Sequence, residues 1–243
     1  MAKRYDQFCP IAHALSLVGE RWSLLVVREL LKGPRRYTDL AGGLPGIGTN
    51  ILATRLRDLE TGGVVRKRKL PPPVASTVYE LTEYGAGLEE AIHAIARWGA
   101  RSLGPPERDD VVDPEWGLDA FPALLYPERA RGLTETYVIG VDASTFTVRL
   151  ENGSLAVELG AADDADLVAH MDMPTVFALA SGDVPVDDAV EQGRVDLRHG
   201  DAATLARFFQ VFSFASRLAT RADRRDEQRL GPRVRVLTAI PVA

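Results

Sequence analysis

The run Thr49-Asn50-Ile51-Leu52-Ala53-Thr54-Arg55-Leu56-Arg57-Asp58-Leu59-Glu60, then Gly62-Gly63, then Val64-Val65-Arg66-Lys67-Arg68-Lys69-Leu70, decides how this chain is read. Ile51, Leu52, Leu56 and Leu59 recur at helical spacing, which predicts an amphipathic helix from roughly Thr49 to Glu60 ended by the glycine pair. The opposite face carries Thr49, Asn50, Ala53, Thr54 and Arg57. An α-helix fits the major groove of duplex DNA, and short polar groups near its N-terminus reach base edges there. Asn50 and Arg57 have the two-pronged hydrogen-bonding ends that read a base, and Arg55, nearer the edge, suits a phosphate. Thr49 also fits a plain helix cap.

On the C-terminal side, two β-prone runs, Val64 to Leu70 and Thr77 to Leu81, flank Pro71-Pro72-Pro73-Val74-Ala75-Ser76 and predict a hairpin. Arg66, Lys67, Arg68 and Lys69 line one strand, and alternation sends two of them to each face. Alone, such a run reads equally well as a solvated edge strand, where lysine discourages aggregation. On the N-terminal side, Ile11, Leu15 and Val18 predict a first helix, and Leu24 to Leu31 a second, stopped by Gly33-Pro34. A short third helix is expected around Tyr37 to Ala41, with Arg35 and Arg36 at its start as a second phosphate clamp. Thr82-Glu83-Tyr84-Gly85 opens a long amphipathic helix to about Leu103, with Leu88, Ile92, Ile95 and Trp98 on its apolar side. Three helices, a reader helix and a basic hairpin form a winged helix-turn-helix.

Charge supports that reading. Residues 1–104 carry 15 Lys and Arg against 10 Asp and Glu, whereas residues 105–243 carry 14 against 24, so the basic half is the one suited to a polyanion. The hydrophobic share of 46% and charged share of 26% fit a globular chain without a membrane span. The start, Met1-Ala2-Lys3-Arg4, has no apolar signal region, and one cysteine, Cys9, excludes an internal disulfide. A cytoplasmic location is expected.

Cys9-Pro10, Val18-Gly19, Arg21-Trp22, Arg28-Glu29-Leu30, Gly33-Pro34-Arg35-Arg36-Tyr37, Leu44-Pro45-Gly46-Ile47, Arg55-Leu56-Arg57-Asp58-Leu59-Glu60, Leu81-Thr82 and Trp98-Gly99 together resemble the HxlR-type winged-helix regulators. The resemblance runs almost without gaps from Cys9 to Gly99. It implies a homodimer in which terminal helices pack across the two-fold axis, and Ile92, Ile95 and Trp98 suit that seam. Gly48 stands where the family often has a capping serine, and the wing tip is proline-rich. In some relatives a cysteine at the place of Cys9 senses oxidants or electrophiles; the alternative is a buried small hydrophobe.

A break falls at Gly104-Pro105-Pro106-Glu107, so residues 1–104 and 105–243 are expected to be separate domains. The second reads as α+β. Glu135 to Asp142, Thr145 to Glu151 and Ser154 to Leu159 predict an antiparallel meander, with Leu167 to Met171 adding a strand. Helices are expected at Thr175 to Ser181 and Val186 to Gln192, a strand at Arg194 to Arg198, and a long last helix from Asp201 to about Arg224. The tail Val234 to Ile240 is β-prone and has no assigned place. This succession is similar to the C-terminal half of sterol-carrier-type lipid-transfer domains, which implies an antiparallel sheet with covering helices around an apolar cavity. Phe177, Phe208, Phe209 and Phe212 are the candidate pocket residues, although such a stripe also serves as plain core or a dimer face. His170 and His199 stand apart from any Cys or Glu at ligand spacing, and no nucleophile–base pair or phosphate-binding glycine loop is present.

The expectation is therefore a transcriptional regulator, not an enzyme. It would bind operator DNA as a homodimer, need no cofactor, and respond to a hydrophobic effector in its second domain. A redox regulator acting through Cys9, or a lipid carrier with an accessory DNA module, are the alternatives.

Overall fold

The computed structural model describes residues 5–71, 76–104 and 106–213. The wing tip at 72–75, Phe214, the far part of the expected last helix and the tail 234–240 lie outside the described residues.

The N-terminal part follows α1 (Pro10–Val18), α2 (Ser23–Leu31), α3 (Tyr37–Gly43), α4 (Thr49–Thr61), β1 (Val65–Lys69), β2 (Thr77–Leu81), α5 (Glu83–Ala86) and α6 (Glu89–Leu103). Leu52, Leu56 and Leu59 of α4 are at most 1% exposed and meet Val26, Val27 and Leu40 in one core. Each leucine withdrawn from water there contributes about 1.5–3 kcal/mol. The hairpin is antiparallel, with Val65 opposite Leu81 and Arg66 opposite Glu80. Arg35 extends it: its N–H donates to the Tyr79 carbonyl and its own carbonyl accepts from Tyr79 N–H, at 2.9 and 2.7 Å.

The long helix expected from Thr82 is broken. Gly85 packs so tightly on Val64 that an added Cβ would lie 2.1 Å from the Val64 carbonyl oxygen. The Thr82 hydroxyl caps the start of α5 by accepting from Gly85 N–H, and Gly87 N–H donates to the Glu83 carbonyl at its end, so α5 is a single turn before α6 starts. Ile92 then faces the core of its own protomer, whereas Ile95 and Trp98 are 50% and 72% exposed.

The second part comprises α7 (Pro114–Leu124), α8 (Pro127–Ala130), β3 (Thr134–Val141), β4 (Ser144–Glu151), β5 (Ser154–Leu159), β6 (Leu167–Met171), α9 (Met173–Ser181), α10 (Val186–Glu191), β7 (Val195–His199) and α11 (Ala202–Val211). The fold is α+β. Its sheet runs β5-β4-β3-β6-β7. The meander is antiparallel, with Asp142 and Asn152 at φ 50° and 48° in its turns. The sheet as a whole is not: β6 pairs with β3 in parallel. Residues 160–166 cross from the β5 edge to make this possible. Ala162 N–H donates to the Thr147 hydroxyl, which donates to the Gly160 carbonyl, and Asp166 N–H donates to the Thr136 carbonyl.

The last helix is also shorter than expected. Phe212 is extended at φ −111° and forms an antiparallel bridge with Leu125, while Tyr126 N–H donates to the Val211 carbonyl. The chain thus leaves α11 to pair with the α7–α8 connection. α7, which was not among the expected elements, also joins the two halves. Arg97 of α6 donates to the Ala123 carbonyl at 2.9 Å, Lys32 at the C-cap of α2 lies 3.1 Å from Asp119, and the Arg28 guanidinium sits 5.0 Å over the Trp116 ring.

Candidate nucleic-acid interface

Gly48 precedes α4 with no side-chain cap, so the cap does not pass to Thr49, which is already the first helical residue. The N-terminus is held instead from α3, where the Tyr37 hydroxyl donates to the Thr49 carbonyl at 2.7 Å. Uncapped amides at a helix start favour an anion. Thr49, Asn50 and Arg57 are exposed, and neither Asn50 nor Arg57 has a side-chain hydrogen bond or ion pair among the described residues. Thr54 is half-buried and donates its hydroxyl to the Asn50 carbonyl at 2.8 Å, turned toward its own helix.

Arg55 departs from its expected role. Its side chain is 17% exposed, donates to Asp58 at 3.0 Å and lies 3.7 Å from Glu20. It braces α4 against the turn before α2 and is not free for a phosphate. Arg35 is also engaged, 3.6 Å from Glu115 of α7. Arg36 is exposed; its backbone N–H donates to Asp39 at 3.0 Å and its carbonyl accepts from Leu40 N–H, while its guanidinium has no ion pair among the described residues.

The wing sorts its four cations by face. Arg66 and Arg68 lie on one side of β1 and clasp the same carboxylate, Glu80, at 2.8 and 2.7 Å. The two guanidiniums, Arg68 foremost, hold the Glu80 carboxyl below the usual range. On the other side, Lys67 donates to Glu60 at 2.7 Å and lies 5.6 Å from the Tyr79 ring centroid. The Glu60 hydrogen bond raises the Lys67 pKa. Lys69 is exposed and has no ion pair among the described residues. Sequence alternation separated the two faces correctly. It missed Glu80 and Glu60, which neutralise part of the positive charge.

The remaining candidates divide clearly. Besides Ile95 and Trp98, α1 and its approach expose Phe8, Ile11 and Leu15, the last two at 71% and 46%, a face the sequence reading did not assign. Cys9 is half-buried at the N-cap of α1. Phe208, Phe209 and Phe212 are 3%, 7% and 4% exposed; Phe208 meets Phe209 edge to face at 5.2 Å and Phe212 in a tilted contact at 4.9 Å. Phe121 of α7 closes the group, 5.5 Å from Phe212. These rings lie in the buried core of the second part, and Phe177 is half-buried on α9. His170 packs over Gly140, where an added Cβ would meet its Nδ1 at 2.1 Å. Among the described residues no helix is long and apolar enough to cross a membrane.

Comparison with known proteins places these features among relatives. The description "HxlR-like helix-turn-helix" matches residues 17–107, and "Alkyl sulfatase C-terminal" matches residues 112–217. The latter, not a sterol-carrier description, is the likeness shown for the second part. An uncharacterized HTH-type transcriptional regulator of Synechocystis is 39% identical over 92 residues, 38% of this chain and 68% of that protein. The HTH-type transcriptional regulator YodB of Bacillus subtilis is 33% identical over 101 residues, 41% of this chain and 90% of its own length. The reduced form of YodB, as a solved structure, covers 42% of this chain and 100% of its own at 31% identity, with a TM-score of 0.36.

Proposed function

Residues 17–107 make this chain a member of the HxlR-like helix-turn-helix family, and from that premise we propose a DNA-binding transcriptional regulator that works as a homodimer. In this reading residues 1–104 bind DNA and pair the protomers, while residues 105–243 tune operator affinity in response to a small hydrophobic molecule. The single observation that carries it is the α4 surface: Asn50 and Arg57 stand exposed and uncommitted beside an uncapped helix start, with Lys69 and the Arg66–Arg68 pair on the adjoining wing.

Phosphate contact comes from Arg36, Lys69, the start of α4 and the wing arginines. Arg66 and Arg68 share one carboxylate, so together they offer about one net charge. Roughly three or four phosphates neutralised per protomer would make affinity fall steeply with salt. The test is a salt titration of duplex binding with Arg66→Ala combined with Arg68→Ala. Affinity should drop alike for all sequences and the salt slope should become shallower; a loss confined to one base position would contradict the wing assignment.

A second reading rests on Cys9. Its half-buried place at the N-cap of α1, between the exposed Phe8 and Ile11, would let a modified thiol disturb a dimer face. Cys9→Ser separates the two: DNA release by an oxidant such as diamide should vanish if the thiol is the sensor and persist if it is not.

A further inference from the structure

A cleft of about 260 Å³ opens between the two halves of the chain. Trp22, Leu25 and Pro45 form the wall on the DNA-binding side, and Val111 and Trp116 form the wall on the other. We infer that this cleft is a binding site for a small, flat, uncharged aromatic molecule carrying a hydrogen-bond acceptor. The inference deepens the effector reading above and moves its site from the phenylalanine cluster to the junction.

Three features define the ligand. The volume falls below the range of pockets for drug-sized molecules and suits one or two fused rings. Both walls offer an indole, and flat aromatic partners stack on or abut such rings favourably. The Trp116 indole nitrogen is sealed from water without a hydrogen-bond partner among the described residues, so a ligand that parts the packing over it on entering the cleft, and presents an oxygen or ring nitrogen there, would supply the missing acceptor.

Charge then selects neutral molecules. Arg28 lines the cleft with its guanidinium 5.0 Å from the Trp116 ring centroid, so the ring face that a cationic ligand would seek is taken. Asp109 and Asp110 line it too and would repel an anion. A neutral ring meets neither penalty.

The walls also explain how occupancy reaches DNA. Trp22 is held at φ 79°, a left-handed conformation that a bulky residue adopts only when its surroundings impose it. Its ring reaches Gly46, in the turn that leads into α4. Opposite, α7 is tied to α2 by Lys32–Asp119 at 3.1 Å and to the start of α3 by Arg35–Glu115 at 3.6 Å. A ring inserted between Trp22 and Trp116 would press on both connections. It shifts the DNA-binding equilibrium only as far as it binds one arrangement better than the other.

The test uses the full chain, with coumarin and quinoline as neutral probes and coumarin-3-carboxylate as the anionic comparison, followed by titration calorimetry. Coumarin or quinoline should bind and the carboxylate should bind more weakly. Trp116→Phe, which keeps the ring and removes the donor, should weaken binding about fivefold, the worth of one hydrogen bond. Val111→Arg, at an exposed position, should fill the cleft and abolish binding. No binding of either neutral probe, or binding indifferent to both substitutions, overturns the inference. Duplex binding is measured on the same preparations. DNA binding without probe binding removes the cleft and leaves the regulator; probe binding without DNA binding does the reverse.

Discussion

Asn50, Arg57 and Arg55 lie within two turns of one helix, yet their neighbours give them different work. Asn50 and Arg57 have no partner to leave among the described residues, so contact with a base costs them no existing bond. Arg55 would have to give up Asp58 and Glu20. Asn50→Ala or Arg57→Ala should therefore weaken the preferred site by about 1–3 kcal/mol and relax one base preference. Competition binding against single-base variants of that site checks this, and intact discrimination would refute the placement. The outward face of α4 was legible because leucine spacing fixes which side is buried. The pairing of Arg55 with Asp58 is local, but Glu20 is brought to it only by packing of the turn before α2, which no local pattern shows.

Among the elements, the wing shows how pairing edits a charge run. Four cations in sequence suggest a uniformly positive strand, but the β1–β2 register sets Glu80 opposite Arg66 and within reach of Arg68. The Glu80 pKa is lowered, so the clasp contributes fully above the ordinary glutamate pKa of about 4.3 and is lost as pH falls below it, through the lowered value. Carboxyl NMR titration should place the Glu80 inflection below that of a model glutamate. An inflection at or above the model value would show that the clasp does not form in solution. Strand and hairpin positions followed closely from alternation and turn residues. Two features did not. The parallel β3–β6 pairing depends on where residues 160–166 travel, which no local pattern encodes. α7 was hidden because Gly117 and Pro122 interrupt its periodicity. Yet Gly117 is required there: an added Cβ would lie 2.5 Å from the Phe146 ring.

At the scale of the whole molecule, the basic first half and acidic second half would, in the proposed reading, turn the first toward DNA and keep the second away from it. Pairing would hide the large apolar side chains left outside, Trp98, Ile11, Phe8 and Ile95. Trp98→Lys combined with Ile95→Lys should convert a dimer into a folded monomer in sedimentation analysis; an unchanged dimer would move the seam elsewhere. The amphipathic character of α6 was legible, though Ile92 turned inward, because the break at Gly85–Gly87 resets the start of α6.

The central claim is that α4 reads the major groove, twice per dimer. Enriching a random duplex pool on the full-length protein and sequencing what is retained tests it most directly. A two-fold symmetric motif is expected, with half-sites centred about one helical turn, or a multiple of it, apart, and lost when Asn50 and Arg57 are both replaced by Ala. A retained pool with no sequence preference, or one whose motif survives that double replacement, would contradict it.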